Sequence, residues 1–88
     1  PGGGVYTSEV EVGGLMWKML VMKKISSSYL DVYLLCRTYD ASPWSVDVSA
    51  EFTFIMPGED RHVERELKET FCHRHTRWGF AEFTPWED

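Results

Sequence analysis

Apolar and polar residues alternate along much of the chain, as they do in β-strands that bury one face and expose the other. The alternation is clearest in residues 44–54, where every second residue from Trp44 is apolar and Ser, Asp, Glu or Thr stand between them. Residues 29–39 repeat the pattern, so we expect Leu30 and the alternate residues after it to face the core. Tyr33 then faces away from the core.

The N-terminal segments predict an edge strand followed by an inner strand. Residues 5–12 are rich in β-formers and stop at Gly13-Gly14, a pair that readily adopts a tight hairpin turn. Residues 15–22 are apolar on both faces, which is typical of a strand that is covered on both sides. Residues 1–4, a proline and three glycines, are predicted to form a flexible end, and residues 5–88 to form one domain.

Two C-terminal segments are less regular. Residues 61–69 suit either a strand or a helix, and we favour a strand. Residues 78–83 are predicted as a strand that ends at Pro85, with its even-numbered residues on one face and its odd-numbered residues, Phe83 among them, on the other. Turns are predicted at residues 23–28, 40–43 and 57–60. Short strands separated by turns predict an all-β, antiparallel β-sandwich of about seven strands.

Composition places the chain among small globular domains. A length of 88 residues suits one core, and 43% hydrophobic with 26% charged residues excludes the disordered and fibrous classes. The formal net charge of −5 argues against a nucleic-acid partner, and no apolar run approaches the roughly 18–20 residues of a membrane span. The N-terminus has no secretion-signal pattern, and Cys36 and Cys72 are interpreted as reduced thiols. We therefore expect an intracellular protein, cytoplasmic or nuclear.

The densest group of metal-binding residue types is Cys72-His73-Arg74-His75. On a strand, alternation would place His73 and His75 side by side, and thiolate and imidazole both bind zinc. A structural zinc site needs four ligands, however, and the remaining cysteine and histidine stand at irregular spacing. We therefore expect histidines without metal, and no cofactor.

The sequence contains no recognisable catalytic motif. Cys72 and His75 are a nucleophile and a base in name only, because no third group is set to orient the base. Acidic residues within 59–69 alternate with Arg and Lys, which is typical of a solvated surface. Ser26-Ser27-Ser28 is first a polar turn, although it could be phosphorylated. Residues 73–77 are locally basic, which suits either a solvated loop or a surface that attracts an acidic peptide.

The end of the chain contains the most specific motif. Trp78-Gly79-Phe80-x-x-Phe83, late in an all-β chain, resembles the signature strand of MATH domains, also called meprin-and-TRAF-homology or TRAF-like domains. Three further segments resemble the family in the same order: Gly13-Gly14-x-x-Trp17-Lys18, Tyr29-Leu30-Asp31-Val32-Tyr33-Leu34, and residues 44–54 with their Phe-x-Phe pair. The resemblance is closest to the divergent MATH domains that accompany BTB domains. Typical members have a further strand at each end, so the resemblance implies a domain that is incomplete at both ends.

The resemblance implies a domain without catalytic activity that binds short extended peptides of substrate or receptor proteins in a groove on one sheet. Carried over by position, the peptide-binding residues are Tyr33, Phe52, Thr76, Arg77, Trp78 and Phe80. Speckle-type BTB adaptors have lysine and aspartate in place of Thr76 and Arg77, so we expect a more acidic peptide than their serine-rich degron. A packing role stays open for Phe52, which shares the core face of its strand, and for Trp78, a frequent structural tryptophan of this fold.

The implied context is the substrate-recognition module of a BTB/cullin-type ubiquitin ligase adaptor. Two alternatives use the same peptide-binding chemistry: a TRAF-type receptor-tail adaptor or scaffold, and the MATH domain of a deubiquitinase. Flanking sequence would separate them. Residues 1–88 show no heptad repeat of the kind that assembles TRAF-type trimers, which neither supports nor excludes the TRAF-type alternative. An open sheet edge would also permit self-association.

Overall fold

The computed structural model describes residues 3–23, 28–38, 42–55, 58 and 62–85. Within these residues the chain forms seven strands and no helix: β1 Gly3–Tyr6, β2 Val10–Val12, β3 Leu15–Lys23, β4 Tyr29–Arg37, β5 Ser45–Ile55, β6 His62–Cys72 and β7 Arg77–Pro85. Every strand pair is antiparallel, which confirms the predicted all-β class. Nothing among the described residues forms a helix that would cross a membrane.

The strands form two sheets of unequal width. The large sheet has the order β1-β3-β4-β7, with β2 pairing beside β1 along the same edge of β3. The small sheet is the hairpin of β5 and β6, paired along the full length of both strands. The inner strand predicted at residues 15–22 is β3, which has neighbours on both sides.

The N-terminal edge strand is interrupted, unlike the single strand predicted over residues 5–12. At the break Thr7 pairs with Met19 partly through its side chain. The Thr7 backbone N–H donates to the Met19 carbonyl oxygen at 2.9 Å, and the Thr7 hydroxyl oxygen accepts from the Met19 N–H at 2.9 Å. Because a side chain satisfies the β3 backbone here, the ladder stops and restarts at Val10. β1 begins at Gly3, two residues before the predicted start of the domain. The predicted turn at Gly13-Gly14 is confirmed, with φ angles of 63° and 80°.

The core lies between the two sheets. Its buried residues come from strands of both sheets: Val32, Cys36, Phe52, Leu67, Phe71 and Phe83. The inward set predicted for β4 and the alternation predicted for β5 are confirmed, since the polar positions of β5 from Ser45 to Thr53 are all exposed. β6 is a strand as favoured. Its apolar residues recur every fourth position because Arg65 and Glu69 occupy the positions between them on the same face.

β7 contains a bulge that the sequence pattern does not reveal. Val32 pairs with Phe80 but Leu30 pairs with Thr84, so three residues of β7 lie opposite one residue of β4. Within the bulge Glu82 has a φ of 56°, in the left-handed region. The predicted alternation across residues 78–83 is therefore wrong, because the left-handed residue turns Phe83 into the core, where it is 2% exposed.

The predicted turns fall mainly outside the described residues. Of the segments 23–28, 40–43 and 57–60, the structure describes only residues 23, 28, 42, 43 and 58. Gly58 has a φ of 80°, which agrees with a turn at that position. Ser26, Ser27 and the acidic pair Glu59-Asp60 also lie outside the described part of the chain.

Candidate functional site

β7 lies at the edge of the large sheet. Among the described strands it pairs only with β4, so the backbone groups on its other side face outward. The N–H of Cys36 donates to the carbonyl oxygen of Thr76 at 2.9 Å, and hydrogen-bonded residues alternate along an antiparallel ladder. In the observed register this leaves the N–H and C=O groups of Arg77 and Gly79 facing the open edge. The strand that contains the Trp-Gly-Phe motif is thus free to pair with another strand.

Tyr33 lies directly opposite Gly79 on the outer face of the large sheet. A Cβ atom at Gly79 would lie 2.5 Å from the Cα atom and 2.9 Å from the Cδ1 atom of Tyr33, and closer still to the carbonyl oxygen of Val32. The Arg77 guanidinium lies over the phenol ring, 4.9 Å from its centroid. Only glycine therefore leaves room for the ring that Arg77 covers.

Asp31 holds both the tyrosine and the bulge. Its side chain is 1% exposed, and its Oδ1 atom accepts the backbone N–H of Glu82 at 2.9 Å. The Tyr33 hydroxyl donates to its Oδ2 atom at 3.4 Å. A buried carboxylate thus satisfies the N–H that the left-handed residue turns out of the ladder. The strand pattern places Asp31 on the face opposite the core, with Tyr33, and gives no sign of this role, because the partners of Asp31 are distant in sequence.

Trp78 and Phe80 lie on the inner side of β7 and are half-buried. The Trp78 indole N–H donates to the Thr70 carbonyl oxygen at 3.0 Å, and its ring stacks on His75 with centroids 3.9 Å apart. Phe80 meets Phe52 edge to face at 5.8 Å. These contacts tie the inner side of β7 to the core.

The structure therefore divides the predicted peptide-binding residues into two groups. Tyr33 and Arg77 meet on the outer face of β7, beside the exposed Thr76 that precedes the strand. Phe52 is a core residue at 5% exposure, as its strand periodicity alone indicates, and its ring meets β7 at Phe80 and Phe83. Phe52 is therefore a packing residue, the alternative to a peptide-binding role that its sequence pattern left open. Trp78 both packs on its neighbours and leaves part of its surface exposed.

Arg65 is a further residue of this region that the sequence did not indicate. It reaches from β6 across to the bulge of β7, where its Nε–H donates to the Phe83 carbonyl oxygen at 3.2 Å. Its guanidinium lies 5.8 Å from the ring centroid of Phe80 and 5.6 Å from that of Phe83. In the sequence Arg65 stands in a run of mixed charge, which gives no signal of this contact. Two cations, Arg65 and Arg77, consequently flank the edge of β7.

In the Cys-His-Arg-His segment Cys72 is the last residue of β6, and the chain turns towards β7 at His73 and Arg74. The N–H of Cys72 donates to the His75 carbonyl oxygen at 3.1 Å, and the His75 N–H donates back at 2.9 Å. His73 and His75 are therefore not strand neighbours, and the expected side-by-side placement is wrong because the chain reverses between them. No three His, Cys, Asp or Glu side chains are grouped to hold a metal ion in the part of the chain that the structure describes.

The two cysteines are both free thiols, as interpreted from the sequence. Cys36 is buried on the inner face of β4, and this burial raises the pKa of its thiol to about 11. Cys72 is half-buried at the end of β6. A thiol with so high a pKa is a poor nucleophile at neutral pH, so Cys36 is a packing residue.

Comparison of the sequence with known families identifies the family of this chain. No solved structure matches the chain significantly. The sequence model of the MATH domain family matches residues 2–88, which covers all seven strands and the Trp-Gly-Phe motif. MATH domains are protein-interaction modules. The chain belongs to the MATH domain family.

Proposed function

We propose that this chain is a peptide-binding domain that recruits protein substrates, without catalytic activity of its own. The supporting observation is the open edge of β7, where Arg77 and Gly79 direct backbone N–H and C=O groups outward. An extended peptide that pairs with such an edge obtains its affinity from main-chain hydrogen bonds and its specificity from alternate side-chain contacts. The peptide adds one strand to the large sheet.

Side chains on both faces of β7 supply the specific contacts. On the outer face the peptide meets the Tyr33 ring, which Asp31 and Gly79 hold in place, together with the cation of Arg77. On the inner face it meets the half-exposed rings of Trp78 and Phe80. Phe52 supports Phe80 from the core, and Thr76 lies where the peptide enters beside β7.

The peptide is acidic. Arg77 stands exposed on the outer face, and Arg65 lies at the other end of the edge, over two aromatic rings. Exposed Glu82 lies within the bulge, five residues along β7 from Arg77. Opposite charges across such an edge direct partner choice and binding rate more than they add affinity. A serine-rich peptide without acidic residues is therefore the weaker ligand.

The domain acts inside the cell, in the cytoplasm or nucleus, as the substrate-recognition module of a BTB/cullin-type ubiquitin ligase adaptor. Support for this context comes from the resemblance of the Trp-Gly-Phe strand and three other segments to MATH domains that accompany BTB domains. TRAF-type receptor adaptors and MATH-containing deubiquitinases use the same binding chemistry. Co-purification of the full-length protein with a cullin would support the adaptor role, and copurification with a trimeric receptor complex would contradict it.

Fluorescence polarisation with three labelled peptides of equal length tests the peptide-binding proposal. We expect saturable binding of an acidic peptide, weaker binding of a serine-rich one and none of a basic one. Arg77→Glu should weaken acidic-peptide binding by about five- to tenfold, because it removes an attraction and adds a repulsion. Arg74→Glu makes the same charge change in the exposed turn and is the matched control, with a loss below about twofold. Equal losses in the two variants would reduce the effect to net charge and contradict a site at Arg77.

A further inference from the structure

A depression on the outer face of the large sheet lies beside the start of β7. It has a volume of about 190 Å³, and Lys18, Leu35 and Arg37 line it together with Thr76, the residue before β7. In the strand register Lys18, Leu35 and Arg77 stand next to one another on β3, β4 and β7. The depression and the Arg77 end of the β7 edge are therefore parts of one continuous surface.

This surface is cationic, although the whole chain has a formal net charge of −5. Lys18 and Arg77 flank Leu35 from the neighbouring strands, and Arg37 follows Leu35 on the same face of β4. The Lys18 ammonium lies 4.5 Å from the ring centroid of Tyr6, a cation–π contact that holds the charge beside the depression. An anionic group of a ligand is therefore attracted to this surface.

A carboxylate of the chain itself already lies in this depression. Glu9, between β1 and β2, accepts the Arg37 Nε–H at 2.7 Å and a terminal N–H of the same guanidinium at 2.6 Å. These hydrogen bonds lower the pKa of the Glu9 carboxyl below its ordinary value of 4.5, and the charge of Lys18 lowers it further. The depression thus has the geometry and charge that hold a carboxylate in a two-point contact.

The Arg37–Glu9 pair is open to replacement. The side chains of Arg37 and Glu9 are 52% and 26% exposed. Exposed ion pairs add little to stability, because water screens the charges and two long side chains lose conformational freedom. A carboxylate that a ligand brings to Arg37 therefore displaces Glu9 at little cost, and Glu9 is a competitor of that ligand.

A peptide that pairs with β7 comes within reach of the depression. β7 begins at Arg77, and the chain before it turns at His73 and Arg74, so β7 offers the peptide no further partner beyond Arg77. Neighbouring strands lie about 4.8 Å apart, which places the bound peptide about 10 Å from β4, a distance that about three extended residues span. The end of the peptide that leaves Arg77 therefore crosses the exposed Thr76 and brings a side chain to Arg37.

We propose that Arg37, with Lys18 beside it, binds a second acidic side chain of the peptide, about three residues beyond the one that meets Arg77. This inference rests on the proposed function and specifies its ligand: a peptide with two separated acidic residues rather than a peptide of general negative charge. The second carboxylate replaces Glu9 on the Arg37 guanidinium. A peptide with acidic residues only beside Arg77 leaves the Arg37–Glu9 pair intact and binds more weakly.

Fluorescence polarisation with a labelled acidic peptide of about twelve residues, with glutamate at every third position, tests this proposal. Two further peptides carry glutamine instead of glutamate in their N-terminal or C-terminal half, so that one of them lacks the charge at the end that passes Thr76. Glu9→Gln removes the competitor, and Arg37→Gln removes the binding group. Glu11→Gln is the matched control, because Glu11 lies opposite Met16 on the same outer face and loses the same charge. Circular dichroism verifies the fold of each variant.

We expect Glu9→Gln to tighten binding of the fully acidic peptide about threefold and Arg37→Gln to weaken it about threefold, whereas Glu11→Gln should change it less than about 1.5-fold. The gain from Glu9→Gln should disappear when Arg37→Gln is already present, and with one of the two half-acidic peptides. Carboxyl NMR of the parent should show the pKa of Glu9 rising towards 4.5 when the fully acidic peptide saturates the domain.

Equal gains from Glu9→Gln and Glu11→Gln would overturn the inference, because net charge alone would then explain them. Unchanged binding by Arg37→Gln, or a Glu9 pKa that saturating peptide leaves unchanged, would also overturn it. In each of these cases the loss in Arg77→Glu would still stand, so the proposed function would survive. If the parent bound none of the peptides, the proposed function would fail and this inference with it.

Discussion

Replacing Gly79 by alanine tests why the motif strand contains glycine. The added Cβ atom would lie 2.5 Å from the Tyr33 Cα atom and 2.9 Å from its Cδ1 atom, and it would overlap the Val32 carbonyl oxygen. Two of these three atoms belong to the β4 backbone, so a rotation of the tyrosine side chain cannot relieve the clash. β4 and β7 must separate instead, which weakens the pairing that holds the edge strand in the sheet.

Gly4→Ala is a matched control in the same sheet. Its Cβ atom would lie 3.0 Å from the Leu20 Cδ1 atom and 3.3 Å from the Met22 Cγ atom, both of which belong to flexible side chains. Each variant gains about 0.4–1 kcal/mol from the less flexible unfolded chain, so the difference between them isolates the clash. Overpacking against backbone costs about 3 kcal/mol, the upper end of the usual range. We therefore expect Gly79→Ala to be about 3 kcal/mol less stable than Gly4→Ala.

Urea unfolding followed by tryptophan fluorescence measures this difference. With a slope of about 1 kcal/mol per M for a small domain, the midpoint of Gly79→Ala should lie about 3 M below that of Gly4→Ala. Combining Gly79→Ala with Tyr33→Ala should not restore stability, because the backbone overlaps remain. Midpoints that agree within about 0.5 M would refute the close approach of β4 and β7 at this residue. Full rescue by the double variant would place the clash at the tyrosine ring alone.

Three further predictions follow from the buried and paired groups. Asp31→Ala should lower the free energy of unfolding in urea by about 2–3 kcal/mol, because it leaves the Glu82 N–H in the β7 bulge without its acceptor. Asp31→Asn keeps an acceptor and should lower it clearly less. Equal losses in the two variants would contradict this role of Asp31. A thiol reagent at pH 8 should modify Cys72 quickly and Cys36 slowly, because burial raises the pKa of the Cys36 thiol to about 11. Cys72→Ser should therefore abolish the fast phase of modification. A fast phase that persists in Cys72→Ser would contradict this assignment. Arg37 donates two hydrogen bonds to Glu9 and holds the pKa of that carboxyl below its ordinary value of 4.5, so the pair's contribution to stability should be present above that value and fade as the pH falls through the lowered pKa. A carboxyl NMR titration should show the Glu9 pKa rising in Arg37→Gln, and no rise would contradict the pairing.

The sequence predicts the strands better than their interruptions. The sequence predicts all of β5, because one face of this strand packs on the core and the other faces solvent, which requires apolar and polar residues to alternate. The break at Thr7 and the bulge at Glu82 arise from hydrogen bonds to residues distant in sequence, Met19 and Asp31. Such pairs leave no local periodicity, and the alternation rule therefore assigned Phe83 to the wrong face.

The site is predictable only where a residue's direction follows from its strand. The outward direction of Tyr33 follows from the β4 pattern, and the structure confirms it. Its contact with Arg77 depends on the register between β4 and β7, which no local pattern specifies. The burial of Phe52 follows from the alternation of apolar and polar residues in β5. This alternation predicts the surroundings of Phe52 better than the resemblance to the family does, which implied a peptide-binding residue.

Binding of a peptide at the edge of β7 is the central claim, and amide NMR shifts during titration with an acidic peptide test it most directly. We expect the largest saturable shifts at the N–H groups of Arg77 and Gly79, with small shifts at Asp47 and Ser49 on the β5 edge. The same titration with Arg77→Glu should need several-fold more peptide to reach half-saturation. Shifts concentrated on β5, or uniform small shifts that do not saturate, would contradict a peptide site at β7.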